Sequence, residues 1–206
     1  MKKNSVRQLT ISALLIGLGI IIPMVMPKIV IGPASFTLAS HVPLFIAMFF
    51  SPGMAVAVAL GTTFGFLVTG LPVVIALRAF SHLIFAVIGA MYLQRHPGLV
   101  LQNGKFTLFN LRFQTFNFLI GVLHAVVEML VVMAFNFVGN VPASSIEGGA
   151  FYFFFVLLGV GGLIHSLVDY SIAYFVAGTL SKHFELPVFV KAKQEKTISG
   201  APRTAA

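Results

Sequence analysis

The sequence has no cysteine, no tryptophan and very few charged residues. Without cysteine, the chain cannot form a disulfide framework, a thiolate metal site or a thiol nucleophile. Only 9% of its 206 residues are charged, whereas soluble domains usually carry about 25%. Hydrophobic residues make up 58% of the chain, and its mean hydropathy is +1.01. Water cannot solvate so much apolar surface, so we expect an all-α integral membrane protein embedded in lipid.

Six apolar segments are predicted to cross the bilayer as helices, because about 20 apolar residues span its hydrocarbon core. The segments cover residues 6–26, 38–50, 54–68, 73–93, 113–138 and 151–180. The second is short and contains Pro43, so it can be kinked or begin inside the preceding connector. The sixth is longer than a bilayer needs and is expected to tilt or to bend near Gly161 and Gly162. We expect one membrane domain at residues 1–182 and a loose, polar, basic cytoplasmic tail at 183–206.

The net charge of +8 comes from basic residues that lie between the apolar segments. This distribution is a membrane orientation signal and not a nucleic-acid-binding stripe. With six spans, the basic segments all lie on one side, and only Lys28 lies on the other. Positive residues favour the cytoplasmic side, so both termini and the loop between spans four and five are predicted to be cytoplasmic. The residues that carry this signal are Lys2, Lys3, Arg7, Arg95, Lys105, Arg112, Lys182, Lys191, Lys193, Lys196 and Arg203.

Charged and ionisable residues inside the spans are the candidate functional positions, because each is costly to place in lipid. They form three pairs with a spacing of four residues, so each pair shares one helix face. The pairs are Arg78 with His82, His124 with Glu128, and His165 with Asp169. Such faces are expected to point into the bundle. For the two His–carboxylate pairs, a structural role in joining helices is the main alternative to a functional one.

Arg78 is predicted to lie roughly 9 Å below the outer boundary of the membrane, at the floor of a pocket open to the exterior. Its guanidinium offers a fork of donors that matches a carboxylate, which favours an anionic ligand. The alternative is that Arg78 is a structural partner of Glu128 or Asp169. The predicted substrate-binding residues are Ser40, His41, Arg78, His82, His124, Glu128 and Asn136.

Catalytic and cofactor motifs are missing from the sequence. The order and spacing of His124 and Glu128 differ from the His-Glu-x-x-His zinc pattern, and no Gly-x-Ser-x-Gly or Walker motif occurs. His41, His82 and His124 could hold a metal in principle, but nothing in their spacing selects for one. We therefore expect no catalytic residues, no cofactor, no resident metal and no nucleotide hydrolysis by this chain.

Two segments and one spacing resemble the S components of energy-coupling factor transporters, which are prokaryotic vitamin importers. The segments are residues 34–43 (ASFTLASHVP) and 77–82 (LRAFSH). Members carry an Ala-x-x-x-Ala pattern in the first helix, and the corresponding residues here are Ala13 and Gly17. Glycine keeps the small face but departs from the motif. The resemblance covers the whole chain and implies six helices, cytoplasmic termini and docking through this face onto a membrane coupling subunit.

The resemblance also implies a function. An S component of a prokaryotic plasma membrane binds its vitamin from outside, and a shared module of one coupling subunit and two ATPases drives release inward. The overall likeness is greatest to the pantothenate-type members, and niacin, folate or another anionic vitamin is the alternative. Two different classes of function also remain open, an intramembrane enzyme that uses the buried acids or histidines and a scaffold whose basic loops bind another protein.

Overall fold

A computed structural model describes residues 3–31, 34–139, 146 and 148–199 of the chain. The described residues form a helical bundle with one β-hairpin, whose two strands pair antiparallel with Lys28 opposite Thr37. A 3₁₀ turn occupies Pro97–Val100, and a π-helical segment occupies Tyr152–Gly161. The remaining elements are α1 (Lys3–Val25), β1 (Lys28–Ile31), β2 (Ala34–Thr37), α2 (Val42–Phe50), α3 (Pro52–Val68), α4 (Val73–Arg95), α5 (Leu111–Phe137), α6 (Gly162–Leu180) and α7 (Pro187–Ser199).

The prediction of an all-α membrane protein is confirmed in its coarse form. Within the described residues, four helical stretches are long and apolar enough to cross a bilayer: Val6–Val25, Val73–Arg95, Leu111–Phe137 and Tyr152–Leu180. Many of their large apolar side chains point outward, as a lipid-facing surface requires. Helix α3 is apolar but has only 17 residues, and α2 has nine. The count of six spans and the orientation of the termini therefore stay predictions.

Helix α2 is shorter than the predicted second span and lies in the centre of the bundle. It begins at Val42, where Pro43 occupies the first turn, and residues 34–41 form β2 and a turn instead. Proline is well tolerated at this position because its missing N–H has no partner in a first turn, so Pro43 starts the helix and does not kink it. Phe45, Met48 and Phe49 of α2 are completely buried.

The last predicted span contains a π-helical segment that changes to α-helix between Gly161 and Gly162. The tilt or bend expected there stays a prediction. A Cβ on Gly161 would lie 2.9 Å from Cζ of Phe36. The glycine therefore allows the aromatic ring of β2 to pack directly on the helix backbone. This contact holds the hairpin against the end of the bundle.

The segment after Lys182 is not a loose tail over its described length. Helix α7 occupies Pro187–Ser199, and Leu186, Val188, Phe189 and Ala192 are all at least 97% buried. These four apolar residues pack on the core. The polar composition of the rest of the segment hides this packing in the sequence. Arg203 and the other residues beyond Ser199 lie outside the described part of the chain. The division of the chain at residue 182 remains a prediction.

The basic segments come together at one end of the bundle, called here the basic end. Lys191 Nζ donates to Gln94 Oε1 at 2.8 Å, and Lys196 Nζ donates to the Asn103 carbonyl at 2.8 Å. Lys28 lies in the hairpin at the opposite end, called here the hairpin end. The loop after α4 and helix α7 therefore lie at the same end of the bundle. The charge pattern predicts that these two basic segments lie on the same side.

Candidate functional site

A cavity of about 280 Å³ lies beneath the hairpin, bounded by α1, α3, α4 and the turn before α2. Lys28, Ser35 and Thr37 line it on the hairpin side, and Thr62 of α3 lines one wall. The apolar part of the wall includes Pro23, Leu44, Phe66, Leu71 and Ile75. The polar lining residues from the turn before α2 and from α4, α5 and α6 are called here the cavity floor: Ser40, His41, Arg78, His82, Glu128 and His165.

Glu128 organises the floor because it binds side chains from a neighbouring helix. Arg78 donates to it through two nitrogens, with Nε 3.3 Å from Oε1 and Nη2 3.0 Å from Oε2. His82 Nε2 lies 2.9 Å from the same Oε1. Helix α4 presents Arg78 and His82 one turn apart, as their spacing predicts, and α5 supplies the carboxylate. The structural alternative for Arg78 is therefore realised with Glu128, and the guanidinium also lines the cavity.

His124 lies behind the floor. It is 2% exposed, and its Nδ1 is 3.0 Å from the hydroxyl of Ser166 on α6. Its Nε2 is 3.6 Å from Glu128 Oε1 and has no hydrogen-bond partner within the described residues. The side chain is not among those that line the cavity. His124 joins α5 to α6 and leaves one buried nitrogen unused.

Asp169 of α6 holds the turn that leads into α2. Its carboxylate accepts the backbone N–H of Ala39 at 2.8 Å and that of His41 at 2.9 Å. The Nδ1 of His41 lies 3.2 Å from the same carboxylate. Ala39 has a φ of 66°, which is unfavourable for a residue with a Cβ. Asp169 is completely buried and thus fixes a strained turn that carries Ser40 and His41 to the cavity.

The structure places five of the seven predicted binding residues at the cavity. Ser40, His41, Arg78, His82 and Glu128 line it, whereas His124 lies behind the floor and Asn136 lies near the end of α5. Asn136 is about two turns beyond Glu128 along the helix, and the sequence pattern does not show where along α5 the cavity lies. The contact of any of these residues with a ligand stays a prediction.

The predicted docking residues lie on an open face of α1. Ala13 is exposed, and a Cβ on Gly17 would meet no described atom within 4 Å. Gly19 is different, because a Cβ there would lie 2.7 Å from Thr62 Oγ1 of α3. Gly17 therefore lies on a face of α1 that is open, whereas Gly19 lies on a face that packs against α3.

Five polar lining residues were not predicted to bind the ligand: Lys28, Ser35, Thr37, Thr62 and His165. Lys28 had a signal, since it is the single basic residue on its side of the predicted topology. His165 shares a helix face with Asp169, and its Nε2 is 3.1 Å from Ser40 Oγ. Thr37 and Thr62 had no signal, because a threonine in an apolar segment is often lipid-facing or bonded to its own helix.

The arrangement suits a small ligand with both apolar and polar parts. A mostly apolar wall faces a floor of imidazoles and a guanidinium, as in many small-molecule sites. Two groups of side chains also have the donor types and the proximity needed to hold a metal ion. One comprises His41, His82, His124 and Glu128, and the other comprises His41, His165 and Asp169.

Comparison with known proteins identifies one relative with high similarity. The chain is 48% identical over 194 residues to the niacin transporter NiaX of Lactococcus lactis subsp. cremoris (strain MG1363), an S component. The alignment covers 93% of this chain and 82% of the relative. No family model and no solved structure matches the chain. Identity of this extent shows that the chain belongs to the S components of energy-coupling factor vitamin transporters, and it is a multi-pass protein of the cell membrane.

Proposed function

We propose that this chain is a niacin-binding S component that captures nicotinate from outside the cell for import. The observation that carries the proposal is the 48% identity, over 93% of the chain, to a protein named a niacin transporter. A difference of about half the residues leaves room for a change of ligand, so the ligand itself needs a direct test.

The cavity supports a ligand of this chemistry. Nicotinate has one flat aromatic ring, one ring nitrogen and one carboxylate. The apolar wall suits the ring, and the histidines of the floor offer hydrogen bonds to the nitrogen. Arg78 binds Glu128 through Nε and Nη2 and so keeps Nη1 for a carboxylate, and Lys28 adds a second cation on the hairpin side.

The expectation of pantothenate receives no support from the comparison, which favours the niacin alternative. Both vitamins carry a carboxylate, so a cation in the pocket does not distinguish them. Pantothenate is a flexible chain, whereas nicotinate is a rigid ring that loses little conformational freedom on binding. The sequence offered charge as a signal for the ligand and offered no signal for its shape.

The partner subunits of the family set the rest of the proposal. The family resemblance implies that one coupling subunit and two ATPases drive transport by this chain, and a sequence without a nucleotide-binding motif fits that division of labour. We place the basic end in the cytoplasm and the hairpin end outside, with α2 and α3 completing six crossings. Ala13 then lies in the cytoplasmic half of α1 and Gly17 lies near the middle of the helix, on an open face available for docking.

The proposal is tested by ligand binding to the purified full chain in detergent. Isothermal titration with nicotinate, nicotinamide and pantothenate should give tight binding for nicotinate only. Nicotinamide keeps the ring and loses the negative charge, so it isolates the contribution of the carboxylate. Tight binding of pantothenate together with no binding of nicotinate would overturn the assignment.

Arg78 is tested in the same assay with two substitutions and one control. Arg78→Ala should abolish nicotinate binding, and Arg78→Lys should restore it only in part because lysine lacks the fork. Asn136→Ala is the control on the same bundle, since Asn136 does not line the cavity. Unchanged affinity in Arg78→Ala would remove Arg78 from the site.

A further inference from the structure

The charge of the cavity floor poses a problem for an anionic ligand. Arg78 is already bonded to Glu128 through two nitrogens, and Asp169 is a second buried carboxylate, bonded to His41 of the floor. Lys28 supplies the other cation that lines the cavity, on its hairpin side. A ligand carboxylate at the floor would therefore enter beside these two carboxylates, where low dielectric strengthens the repulsion. An additional cation at the floor would reduce this penalty.

Three imidazoles of the floor region are close enough to share such a cation. The ring centroids of His41 and His124 are 4.6 Å apart, those of His82 and His124 are 4.8 Å apart, and those of His41 and His82 are 4.9 Å apart. One donor atom from each of the three, together with a Glu128 oxygen, falls within 4.8 Å of the others. The three histidines come from the turn before α2, from α4 and from α5.

The spacing of the donor atoms suits a tetrahedral ion. With bonds of about 2.0–2.1 Å, neighbouring ligand atoms lie roughly 3.3 Å apart. His82 Nε2 is 2.9 Å from Glu128 Oε1, and His124 Nε2 is 3.6 Å from it. These two distances lie on either side of the expected value, and all four donor atoms lie within 4.8 Å of one another, so binding requires side-chain movements that bring the donors together around the ion.

The second nitrogen of two histidines is fixed in the way that metal ligands usually show. A ligating histidine normally donates its other N–H to a carboxylate, a hydroxyl or a carbonyl, which orients the ring. His41 Nδ1 lies 3.2 Å from Asp169 Oδ2, and His124 Nδ1 lies 3.0 Å from Ser166 Oγ. Both rings therefore keep Nε2 for another partner. For His124 this nitrogen is buried and has no hydrogen bond within the described residues, a costly state that a metal would relieve.

The other candidate group, His41 with His165 and Asp169, is a weaker site. It provides only two imidazoles, and its carboxylate accepts the backbone N–H groups of Ala39 and His41 in the turn before α2. Among the described residues, Glu128 by contrast hydrogen-bonds only to side chains, those of Arg78 and His82. The group with three histidines and Glu128 has the donor types that Zn²⁺ prefers and an arginine on the carboxylate as an outer contact.

We infer that His41, His82, His124 and Glu128 form a binding site for a divalent transition metal ion, with Zn²⁺ as the best match. His41, His82 and Glu128 line the cavity, so the ion lies at its floor and can exchange one ligand for the carboxylate of a vitamin. The role in vitamin binding rests on the proposed function. The metal site itself does not.

Metal content of the full chain tests the site in the absence of vitamin. The protein is purified in detergent with an affinity tag that contains no histidine, dialysed against Zn²⁺ and analysed by mass spectrometry of the metal. We expect one Zn²⁺ per chain, and Co²⁺ in its place should give the visible absorption of a tetrahedral site. Absence of both signals in the unmodified protein would overturn the inference.

Three single variants separate the candidate groups. His124→Ala belongs to the three-histidine group only and should lose the Zn²⁺, whereas His165→Ala belongs to the other group and should keep it. His96→Ala, at an exposed histidine of the basic end, should also keep it. Circular dichroism melting checks that each variant is folded. If His124→Ala fails to fold, His165→Ala decides the matter, because loss of the Zn²⁺ from that variant would assign the ion to the other group. Full Zn²⁺ in folded His124→Ala would overturn the assignment.

The role of the metal is measured by nicotinate titration before and after treatment with a chelator. Removal of the ion should weaken nicotinate binding by about tenfold or more, because a charge-assisted contact is lost, and added Zn²⁺ should restore it. Equal affinity in the metal-free protein would refute the role and leave the proposed niacin function standing. One bound Zn²⁺ with no nicotinate binding at all would refute the niacin function and leave the metal site standing.

Discussion

Helix α2 runs between two regions of different composition, the polar cavity and an apolar cluster of aromatic rings. Its first residues follow His41 at the polar cavity, and its last residues lie in a cluster of stacked rings. This cluster, called here the aromatic core, comprises Phe45, Phe49, Phe113, Tyr170, Tyr174 and Phe189. The rings of Phe45 and Tyr170 stack with centroids 4.2 Å apart. The nine residues of α2 thus connect a polar site to an apolar core.

We expect the cavity to be the part of the protein that binds the ligand and the aromatic core to be the part that stabilises the fold. In the aromatic core, the stability comes from packed area and ring contacts, which need no ligand. At the cavity, buried charges and imidazoles are costly and are kept only where they contact one another or a ligand. We therefore expect substitutions in the core to change stability most and those at the cavity to change binding most.

The largest effect on stability is expected from Phe49→Ala in the aromatic core. Phe49 is completely buried and contacts rings from α5, α6 and α7, so its truncation leaves a cavity at the junction of four helices. The cost should be about 3–5 kcal/mol. Thermal unfolding in detergent, followed by circular dichroism, measures it. Phe64→Ala on α3 is the matched control, because Phe64 is 67% exposed on the lipid-facing surface, and an equal loss in both variants would contradict the comparison.

Asp169→Asn is expected to have the next largest effect, and it acts at the cavity. The substitution replaces one acceptor oxygen by a donor, which faces the N–H of Ala39 or of His41 in the strained turn. Loss of a hydrogen bond to a charged acceptor costs about 1.5–3 kcal/mol. Because the turn carries Ser40 and His41 to the floor, nicotinate affinity should fall as well.

The control for Asp169→Asn is Glu185→Gln, at an exposed acid whose carboxylate is 4.0 Å from Arg7. A surface pair of this kind contributes little, so neither stability nor affinity should change. If Asp169→Asn lowered stability and left nicotinate affinity intact, the turn would not be what positions the binding residues.

A smaller effect is expected from Tyr174→Phe, which removes one hydroxyl from the edge of the aromatic core. The hydroxyl lies 3.0 Å from the Val100 carbonyl and 3.2 Å from that of Thr107, so it fastens the loop after α4 to α6. We expect a loss of about 1 kcal/mol in thermal unfolding and no change in nicotinate affinity.

Tyr170→Phe provides the matched control for Tyr174→Phe. The hydroxyl of Tyr170 is buried but has no hydrogen-bond partner among the described residues. Its removal should leave stability unchanged or raise it, since an unsatisfied buried hydroxyl is a cost. A larger loss in Tyr170→Phe than in Tyr174→Phe would show that the Tyr170 hydroxyl contributes more to stability than the two hydrogen bonds of Tyr174.

The sequence was informative about the cavity because charged residues in apolar segments are costly to place in lipid and therefore rare. The spacing of Arg78 with His82 and of His124 with Glu128 predicted shared helix faces, and these side chains do meet at one place. The choice of partners was not predictable. Which helix supplies the carboxylate for Arg78 depends on helix packing, and the sequence left Glu128 and Asp169 as equal alternatives.

The basic end and the central helix were harder to predict from the sequence. Segment 38–50 was interpreted as one apolar helix, because its sequence does not reveal that a turn takes up residues 38–41 before α2 begins. The four buried apolar residues among 186–192 are too few and too irregular to stand out among lysines, so the packed helix α7 was missed. In both cases the tertiary contacts decide the structure, and local pattern does not contain them.

The smallest effect on the isolated protein is expected from Gly17→Leu, at the open face of α1. Because a Cβ on Gly17 would meet no described atom within 4 Å, the added side chain should disturb neither the fold nor nicotinate affinity. It should stop vitamin uptake in cells that contain the coupling module, because a bulky residue prevents close approach of another helix. Uptake of radiolabelled nicotinate, beside titration of the purified variant, measures the two properties separately. Gly19→Leu is the informative contrast, since its side chain would clash with Thr62 at the cavity wall and should impair binding itself. Normal uptake by Gly17→Leu would remove this face from the docking surface and leave the comparison between core and cavity unchanged.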